Sequence, residues 1–436
     1  MEKLIEPRVL KGFRDFLPDQ EAERLRIMHL LGETFGANGF VPIDTPILEY
    51  TEILLGKGGG DTDKQIYRFT DQGGRDVAMR YDLTVPFARF MAAHLHELYL
   101  PFKRFHMAKA FRGENTQRGR YREFVQCDFD IVGTDAVSAD FETVLMIDTA
   151  FRAMGVAGVR IHIAHRGVFN ALLGELRVER GTDEVLRVVD KLRKIGEARV
   201  REELVAIVGP EPASRVLALV SAAGTNAQIV QQMRDLVPTA AGALDRIEAI
   251  IEAAATLGID DRVVIDPTIT RGLDYYTGIV FETFLTDLPE IGSVCSGGRY
   301  DDLAGLYSKE RLPGVGASIG LDRLMAGLAE LGISSAATGA ADAIVVCTTE
   351  SLMAEYHRIA HALRSAGLRA EVYPDGRKPA AQFTYAEKKG IRAAIISGDD
   401  VRATDTVTVR DLTTRTSTEG VRVDEAAAVI RGIIGR

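Results

Sequence analysis

The chain has 436 residues, of which 46% are hydrophobic and 26% charged, and its formal net charge is −9. This length and composition predict a globular protein of roughly two to four domains, and the lack of a long apolar run or an apolar leader excludes membrane-spanning and secreted classes, so we expect a cytoplasmic protein. The three cysteines, Cys127, Cys295 and Cys347, are far apart in the sequence, which argues against a zinc site and against a disulfide framework.

The N-terminal part of the chain predicts a helix followed by an extended segment. Asp19 can cap the helix, Gly39 can end it, and apolar residues recur along one face at Leu25, Met28, Leu31 and Phe35. Residues 40–48 have an extended pattern, but they include two prolines, which cannot donate ladder hydrogen bonds. We therefore expect this segment at the edge of a sheet or at an interface.

A glycine-rich stretch and a hairpin come next. Residues 56–63 lack the GxxxxGK(S/T) spacing of a phosphate loop, so we favour a mobile loop near a site over a phosphate-binding loop. Residues 66–69 and 77–80 predict two strands around a tight turn. The segment Arg80-Tyr81-Asp82-Leu83-Thr84 then leads into a helix over about 85–95.

A strongly basic stretch follows. Residues 103–122 hold seven Lys or Arg against one acid, Glu114, which gives a local charge of +6 in a chain whose net charge is −9. Strand-like runs flank a polar, turn-prone centre at 113–119, which predicts a hairpin with a long charged loop. A solvated hairpin tip is the ordinary explanation of such a loop, but arginines this dense indicate an anionic ligand.

The second strand of the basic hairpin is predicted to have one polar face. Gln126, Asp128 and Asp130 alternate with apolar residues, so their side chains point to the same side of the strand. A polar strand face fits the wall of a pocket better than it fits a core.

A helical pattern of apolar residues dominates the middle of the chain. The pattern predicts a helix over 140–154 and a strand over 158–164. From 167 to 261 apolar residues recur at helical spacing among many alanines, glutamates and arginines, which is typical of a packed helical insertion rather than of a sheet.

Sheet patterns return after this insertion. Residues 263–265 and 270–281 predict strands, and a glycine-rich element follows at 293–301. Residues 313–320 are small enough for a strand to pack closely against the helix that starts at Leu321.

The C-terminal part is predicted to be a separate α/β domain. Strand and helix patterns alternate after the low-complexity linker 334–341. Residues 340–436 hold 14 basic and 13 acidic residues, a net charge of +1, so charge alone gives no sign of nucleic-acid binding. The domain division that we predict is 1–166, 167–261, 262–333, the linker 334–341, and 342–436.

Several motifs together resemble a known family, the histidyl-tRNA synthetases of class II. The segments 111–114 and 120–124 resemble class II motif 2, 313–328 with Arg323 resembles motif 3, and the extended segment ending at Pro46 resembles motif 1. Three further segments are similar to ones diagnostic of the histidine-specific enzymes: 80–84, 271–276 and 296–301. The resemblance implies an α+β fold, with a catalytic domain on an antiparallel sheet flanked by helices, a helical insertion and a C-terminal α/β anticodon-binding domain.

The resemblance also implies a reaction. L-Histidine and ATP would give histidyl-adenylate, and the histidyl group would pass to the 3′ end of tRNA(His), with Mg²⁺ bound mainly through the ATP phosphates and no metal held by protein side chains. The catalytic arginines implied are Arg112, Arg271 and Arg323. The ATP-binding residues implied are Arg112, Glu114, Arg120 and Arg323. Outside the family context, a salt bridge to Asp274 would be the simpler explanation of Arg271.

Histidine recognition needs a negative group for the ammonium and polar partners for the ring. The residues that the resemblance implies for this pocket are Asp82, Leu83, Thr84, Arg112, Gln126, Asp130, Arg271, Tyr275, Tyr276 and Tyr300. Two simpler explanations remain open: Asp82 can cap the following helix, and the tyrosines can belong to a core.

The tRNA contacts implied by the resemblance lie in the motif 2 loop, at Asn115, Thr116, Gln117 and Arg118. This loop departs from the common bacterial form, and the segment at 80–84 reads RYDLT where many bacterial members have RPEGT. The terminal base preference and the placement of the ammonium contact are therefore open. Motif 1 implies a homodimer.

Two non-catalytic alternatives share this architecture. One is a synthetase-like regulatory subunit of ATP phosphoribosyltransferase, and the other is a histidine or tRNA sensor. Such regulatory subunits typically lack the C-terminal domain and lose motif arginines, whereas this chain keeps both. We therefore favour the enzyme.

Overall fold

The structure is a computed structural model that describes residues 4–56, 65–178, 181–269, 275–301, 304–333 and 341–435. These residues divide into two compact units, essentially those before residue 334 and those after residue 340, and each unit has its own hydrophobic core. In these ranges, no helix combines the length and apolar character needed to cross a membrane.

The strands of the first unit form an eight-stranded and a three-stranded sheet. In chain order they are β1 (Val41–Pro42), β2 (Leu48–Tyr50), β3 (Arg68–Thr70), β4 (Asp76–Met79), β5 (Phe102–Phe111), β6 (Glu123–Val132), β7 (Val159–His165), β8 (Val263–Ile265), β9 (Ile279–Leu285), β10 (Cys295–Tyr300) and β11 (Gly314–Gly320). The larger sheet has the order β1-β5-β6-β11-β10-β9-β7-β8, and the smaller has the order β2-β4-β3. The larger sheet is antiparallel except at its two ends, where β1 pairs with β5 and β8 pairs with β7 in parallel.

Helices flank these sheets and fill the middle of the chain. They are α1 (Pro18–Ala37), α2 (Thr51–Leu55), α3 (Thr84–His94), α4 (Val137–Ala153), α5 (Arg166–Glu175), α6 (Thr182–Val189), α7 (Leu192–Val208), α8 (Pro210–Val220), α9 (Asn226–Leu236), α10 (Ala241–Thr256) and α11 (Leu321–Glu330). Buried side chains of α5 to α10 belong to the same continuous core as those of the larger sheet. The helical stretch therefore packs on the sheet through a shared core.

Two details of the N-terminal prediction can be compared with the structure. The proline-bearing β1 lies at the edge of the larger sheet, as predicted. Leu25 was wrongly placed on the buried face of α1, since it is 54% exposed while Ile27, Leu31 and Phe35 are buried. Ile27 lies about 200° around the helix from Leu25, so a face that includes Ile27 turns Leu25 to the outside.

A buried ion network joins the helical stretch to the strand β10. Arg299 on β10 donates from Nε to Asp140 on α4 at 2.8 Å. Arg246 on α10 pairs with the same carboxylate and donates to the carbonyl oxygen of Asp135 at 2.9 Å. Because Asp140 is completely buried, it needs both cations, and the network fixes these three elements to one another.

The second unit is a five-stranded sheet with helices. Its elements are β12 (Ala343–Val345), α12 (Met353–Ser365), β13 (Ala370–Val372), α13 (Pro379–Lys388), β14 (Ala393–Ile396), α14 (Val401–Thr404), β15 (Thr406–Asp411), β16 (Ser417–Arg422) and α15 (Ala426–Ile434). The strand order is β13-β12-β14-β15-β16, with parallel pairing around β12 and antiparallel pairing from β14 onward.

Candidate active site

A cavity of about 380 Å³ lies on the larger sheet, where the β5–β6 hairpin meets β10, β11 and the start of α11. Eight of the predicted site residues line it: Thr84, Arg112, Glu114, Arg120, Gln126, Tyr275, Tyr276 and Arg323. Four more are buried without lining it: Asp82, Leu83, Asp130 and Tyr300. Arg271 and residues 57–63 of the glycine-rich stretch lie outside the described residues, as does most of the predicted linker.

One end of the cavity is basic. Arg112 donates from Nε to the carbonyl oxygen of Tyr81 at 2.9 Å, and its guanidinium carbon lies 5.1 Å from the centroid of the Phe124 ring. Arg323 donates to the carbonyl oxygen of Ser293 at 2.7 Å. Burial, together with the neighbouring Arg120 and Arg112, lowers the pKa of Arg323. Like charges held together in a partly buried place favour an anionic ligand between them.

The loop of the β5–β6 hairpin packs closely against the first turn of α11. Gln117 and Arg120 exchange backbone hydrogen bonds of 3.0 and 2.9 Å, which closes a tight turn around Gly119. Gly119 has a φ of +67°, and a Cβ atom there would lie 2.9 Å from the Cα of Arg323. Only glycine combines this conformation with this approach, so the turn brings the loop and the motif 3 arginine to the same end of the cavity.

Arg120 and the side chains at the tip of the loop have different surroundings. Arg120 pairs with Glu114 at 2.5 Å. Arg118 pairs with Glu330, and together with Gln117 it borders a second cavity of about 250 Å³. The four residues predicted to contact tRNA are all exposed: Asn115, Thr116, Gln117 and Arg118.

Two of the predicted histidine-pocket residues, Asp130 and Tyr300, form a buried polar cluster that does not line the cavity. Asp130 accepts a hydrogen bond from the hydroxyl of Tyr300 at 2.7 Å, and its other carboxylate oxygen lies 2.6 Å from Nη2 of Arg104. A Cβ atom at Gly316, the residue opposite Asp130 on β11, would lie 2.2 Å from that carboxylate. A glycine on β11 is therefore needed to make room for the buried acid.

Asp82 makes the hydrogen bond at the helix start that the sequence left open as its simpler explanation, and its other oxygen contacts a tyrosine. Its Oδ1 accepts a hydrogen bond from the backbone N–H of Val85 at 3.1 Å, in the first turn of α3. Its Oδ2 accepts one from the hydroxyl of Tyr275 at 3.3 Å. Burial raises the pKa of Asp82, while the Val85 N–H and Arg112 act in the opposite direction. The carboxylate thus stabilises the helix start and also faces a tyrosine that lines the cavity.

The sequence interpretation did not predict the environment of Arg104, which it counted only among the seven basic residues of the basic stretch. Arg104 is completely buried, and its guanidinium carbon lies 4.1 Å from the centroid of the Phe87 ring. The 2.6 Å contact with Asp130 is an ion pair by distance. Two other basic residues of the same stretch, Lys103 and Lys109, pair with Glu142 and Glu123. Tertiary partners therefore neutralise part of the local charge of +6.

Asp128 was noted on the polar strand face but was not among the predicted ligand contacts. It is 2% exposed and lies opposite Ser318 on β11. Burial raises the pKa of Asp128 to about 7; the adjacent Asp130 acts in the same direction, whereas Arg104 and a hydrogen bond from Ser318 oppose the rise. The alternation of Gln126, Asp128 and Asp130 in the sequence was the signal for this position.

Replacing Asp128 with asparagine is expected to stabilise the ligand-free protein at pH 8 by roughly 2 kcal/mol. The folded pKa of about 7 exceeds the ordinary value of 3.8, so the folded state holds this proton more tightly and the wild type loses stability as pH rises through 7. Urea unfolding at pH 8 and pH 4 measures the effect. We expect the gain at pH 8 and almost none at pH 4; a loss of stability at pH 8 would contradict the prediction.

Among the residues that the structure describes, no group of three or more His, Cys, Asp or Glu side chains is placed to hold a metal ion.

Known proteins and family models match this chain along nearly its whole length. A family model described as histidyl-tRNA synthetase matches residues 12–324, and one described as an anticodon binding domain matches residues 342–433. The chain is 48% identical to a histidine–tRNA ligase of Treponema denticola, over 99% of both chains. It is 47% identical to a histidine–tRNA ligase of Rhodopirellula baltica, over 95% of both.

Two solved structures are also similar to this chain. The crystal structure of histidyl-tRNA synthetase from Nostoc sp. PCC 7120 matches with a TM-score of 0.87 and 33% identity, covering 98% of this chain and all of that one. A structure described as an ATP phosphoribosyltransferase regulatory subunit/histidyl-tRNA synthetase from Bacillus halodurans matches with a TM-score of 0.77 and 24% identity, over 91% of this chain and all of that one. At that identity, the second match supports only a shared fold.

Proposed function

The chain belongs to the histidyl-tRNA synthetase family of class II aminoacyl-tRNA synthetases, and from this premise we propose how its residues carry out the reaction. The protein is a histidine–tRNA ligase that uses ATP as a substrate. In this proposal it first forms histidyl-adenylate and pyrophosphate, and then transfers the histidyl group to the 3′ end of tRNA(His). The observation that carries the proposal is one cavity lined by an arginine cluster and by polar residues, one of which, Tyr275, is hydrogen-bonded to the buried carboxylate of Asp82.

The basic end is assigned to the phosphates of ATP. Arg112 would bind the α-phosphate and the histidine carboxylate, while Arg120 and Arg323 would hold the outer phosphates and Glu114 would meet the adenine end. The fork of an arginine can bind two oxygens of one phosphate. Arg271 would add positive charge at the α-phosphate, an assignment that rests on the family motif alone because the residue lies outside the described part of the chain.

The chemical step requires charge stabilisation and placement more than it requires a base. A carboxylate oxygen of histidine attacks the α-phosphorus, the P–O bond to the outer phosphates breaks, and pyrophosphate leaves. The histidine carboxylate is already ionised at neutral pH, so no proton has to be removed from it. Arginines fixed in advance, such as Arg112 on the Tyr81 carbonyl, stabilise the charge that develops on the phosphate oxygens. Mg²⁺ would enter with ATP, bound by its phosphates.

The polar residues of the cavity and the buried aspartates and tyrosine near them are assigned to the amino acid. Asp82, Thr84 and Gln126 would hold the α-ammonium group, and Tyr275 would line the pocket. Asp130, Tyr276 and Tyr300 would surround the imidazole. A pocket built from buried polar groups rejects apolar isosteres because such ligands leave those groups without partners.

The tRNA would contact two parts of the chain. The exposed loop residues Asn115 to Arg118 would meet the acceptor end, and the C-terminal unit, which matches an anticodon binding domain, would bind the anticodon. We further propose a cytoplasmic homodimer. Apolar side chains exposed on the smaller sheet, Leu48, Tyr50 and Phe69, fit a dimer contact, and a monomer mass in light scattering would count against the dimer.

Histidine-dependent ATP–pyrophosphate exchange tests the proposed function directly. Purified protein is expected to exchange labelled pyrophosphate into ATP only when L-histidine is present, and then to charge tRNA(His). A regulatory subunit or a sensor would bind its ligands without exchange. The absence of exchange by folded protein would therefore overturn the proposal, and exchange with a different amino acid would overturn the histidine assignment.

A further inference from the structure

We propose that Arg14, in the N-terminal segment before α1, is a positioning residue for the part of the cavity that binds ATP. It holds the carboxylate of Asp322, and through Asp322 it fixes the start of α11, which carries Arg323. The inference rests on the proposed function, because it concerns the arginine assigned to the outer phosphates. Arg14 itself does not line the cavity, so its role is exerted through its neighbours.

The N-terminal segment is attached to the basic hairpin by backbone hydrogen bonds. The carbonyl oxygen of Gly12 accepts from the backbone N–H of Arg122 at 2.9 Å, and the carbonyl oxygen of Arg122 accepts from the backbone N–H of Arg112 at 2.9 Å. Residues 4–11 are exposed, and partial burial begins at Gly12. The packed part of the segment therefore begins where it meets the hairpin, two residues before Arg14.

The side chain of Arg14 contacts two residues of the cavity wall. Its guanidinium carbon lies 3.8 Å from the centroid of the Tyr121 ring and 4.4 Å from that of the Phe16 ring. Its Nη2 atom forms an ion pair with Oδ1 of Asp322. Tyr121 and Asp322 both line the cavity. One guanidinium thus joins a residue of the hairpin to a residue of α11.

Asp322 extends this contact to the sheet. Its other oxygen, Oδ2, accepts a hydrogen bond from the backbone N–H of Val125 on β6 at 2.7 Å. Asp322 is only 4% exposed, and a carboxylate buried to this extent needs a cation and hydrogen-bond donors. The next residue, Arg323, donates to the carbonyl oxygen of Ser293 at 2.7 Å. One carboxylate therefore ties the N-terminal segment, β6 and the first turn of α11 together.

Removing Arg14 is expected to weaken the binding of ATP more than the binding of histidine. Asp322 would become a buried negative charge without its cation, one residue away from Arg323. Opposite charges attract, so the carboxylate would compete with the phosphates for the guanidinium of Arg323. The effect should fall on ATP, because Arg323 is assigned to ATP and not to the amino acid.

The test measures ATP–pyrophosphate exchange by the full-length protein, and its affinity for ATP by calorimetry. With Arg14→Ala we expect KM for ATP to rise by about tenfold and kcat to fall by about tenfold, while KM for histidine stays within about twofold of the wild type. Arg14→Lys keeps a cation for Asp322 but loses the planar group that stacks on Tyr121. This variant should therefore recover most of the affinity for ATP.

The matched control is Arg24→Ala. Arg24 lies on α1, its guanidinium carbon is 5.0 Å from the centroid of the same Phe16 ring, and its Nε donates to Glu21 at 2.7 Å. Its loss removes a neighbouring cation without removing the ion pair with Asp322. We expect both KM values and kcat to stay within about twofold of the wild type.

A double variant shows whether Arg14 acts through Asp322. Asp322→Asn removes the negative charge but keeps an oxygen that can accept from the Val125 N–H. In Arg14→Ala/Asp322→Asn no unpaired carboxylate is left to attract Arg323, so we expect the double variant to bind ATP about as well as Asp322→Asn alone. If the losses of the two single variants add, Arg14 does not act through Asp322 and the inference is wrong.

The outcomes separate this inference from the proposed function. If the folded wild type shows no histidine-dependent exchange, the proposed function fails. If the wild type exchanges but Arg14→Ala binds ATP as tightly as the wild type, or raises both KM values equally, Arg14 is not a positioning residue for ATP. An equal loss of affinity for ATP in Arg24→Ala would likewise overturn the inference, because it would show a general effect of charge near Phe16.

Discussion

Replacing Arg112 with alanine is expected to lower the rate of histidine-dependent ATP–pyrophosphate exchange by about a thousandfold or more. The guanidinium lies in the cavity, fixed by its bond to the Tyr81 carbonyl and by the Phe124 ring. In our proposal it touches both the nucleophile and the phosphate under attack, so its loss removes charge stabilisation and placement at once. The loss should appear mainly in kcat, since the interaction strengthens as charge develops.

Two further variants show whether geometry or charge matters at Arg112. Arg112→Lys keeps the charge but loses the planar fork, so we expect a smaller but still large loss of kcat. Lys109→Ala removes a positive charge from the same hairpin, where Lys109 is paired with Glu123 outside the cavity, and should leave exchange within about twofold of the wild type. Loss of exchange in Lys109→Ala equal to that in Arg112→Ala would mean that the general charge of the hairpin, and not the position of Arg112, is responsible.

Much of the fold could be predicted because apolar periodicity and proline positions are local features of the sequence. The helices of the middle stretch follow from apolar periodicity, and the edge position of β1 follows from its prolines. Boundaries differ by a few residues: α4 spans Val137–Ala153 where 140–154 was predicted. The shared core of the helical stretch and the sheet could not be predicted, because the pairing of faces that are distant in sequence leaves no trace in a periodic pattern.

At the site, the sequence motifs predicted many of the residues that line the cavity, but they did not predict which side chains contact one another. Segments 80–84, 111–124 and 313–328 all contribute to one cavity. The sequence did not show that Arg104 is buried beside Asp130, since a basic residue in a basic stretch looks like surface charge until β5 and β6 are aligned. The register places Arg104 opposite Asp130 and His106 opposite Asp128. Burial also lowers the pKa of His106 to about 4, so that histidine adds no positive charge near the pocket at neutral pH.

Replacing Arg104 with methionine is expected to destabilise the protein by about 3–5 kcal/mol. The side chain is completely buried, and its removal leaves the Asp130 carboxylate without its cation. Burial already raises the pKa of Asp130, and Arg104 is the main influence in the opposite direction. In the variant Asp130 should therefore take up a proton on folding, so the loss of stability should be larger at pH 8 than at pH 5.5. Urea unfolding at the two pH values measures both effects.

The double variant Arg104→Met/Asp130→Asn separates the ion pair from packing. It contains neither charge of this pair, so we expect it to recover most of the stability lost in Arg104→Met. If the double variant were as unstable as Arg104→Met, the loss would come from the packing of Arg104 on Phe87. Recovery would instead show that the stability lost in Arg104→Met comes from the Asp130 carboxylate left without its cation.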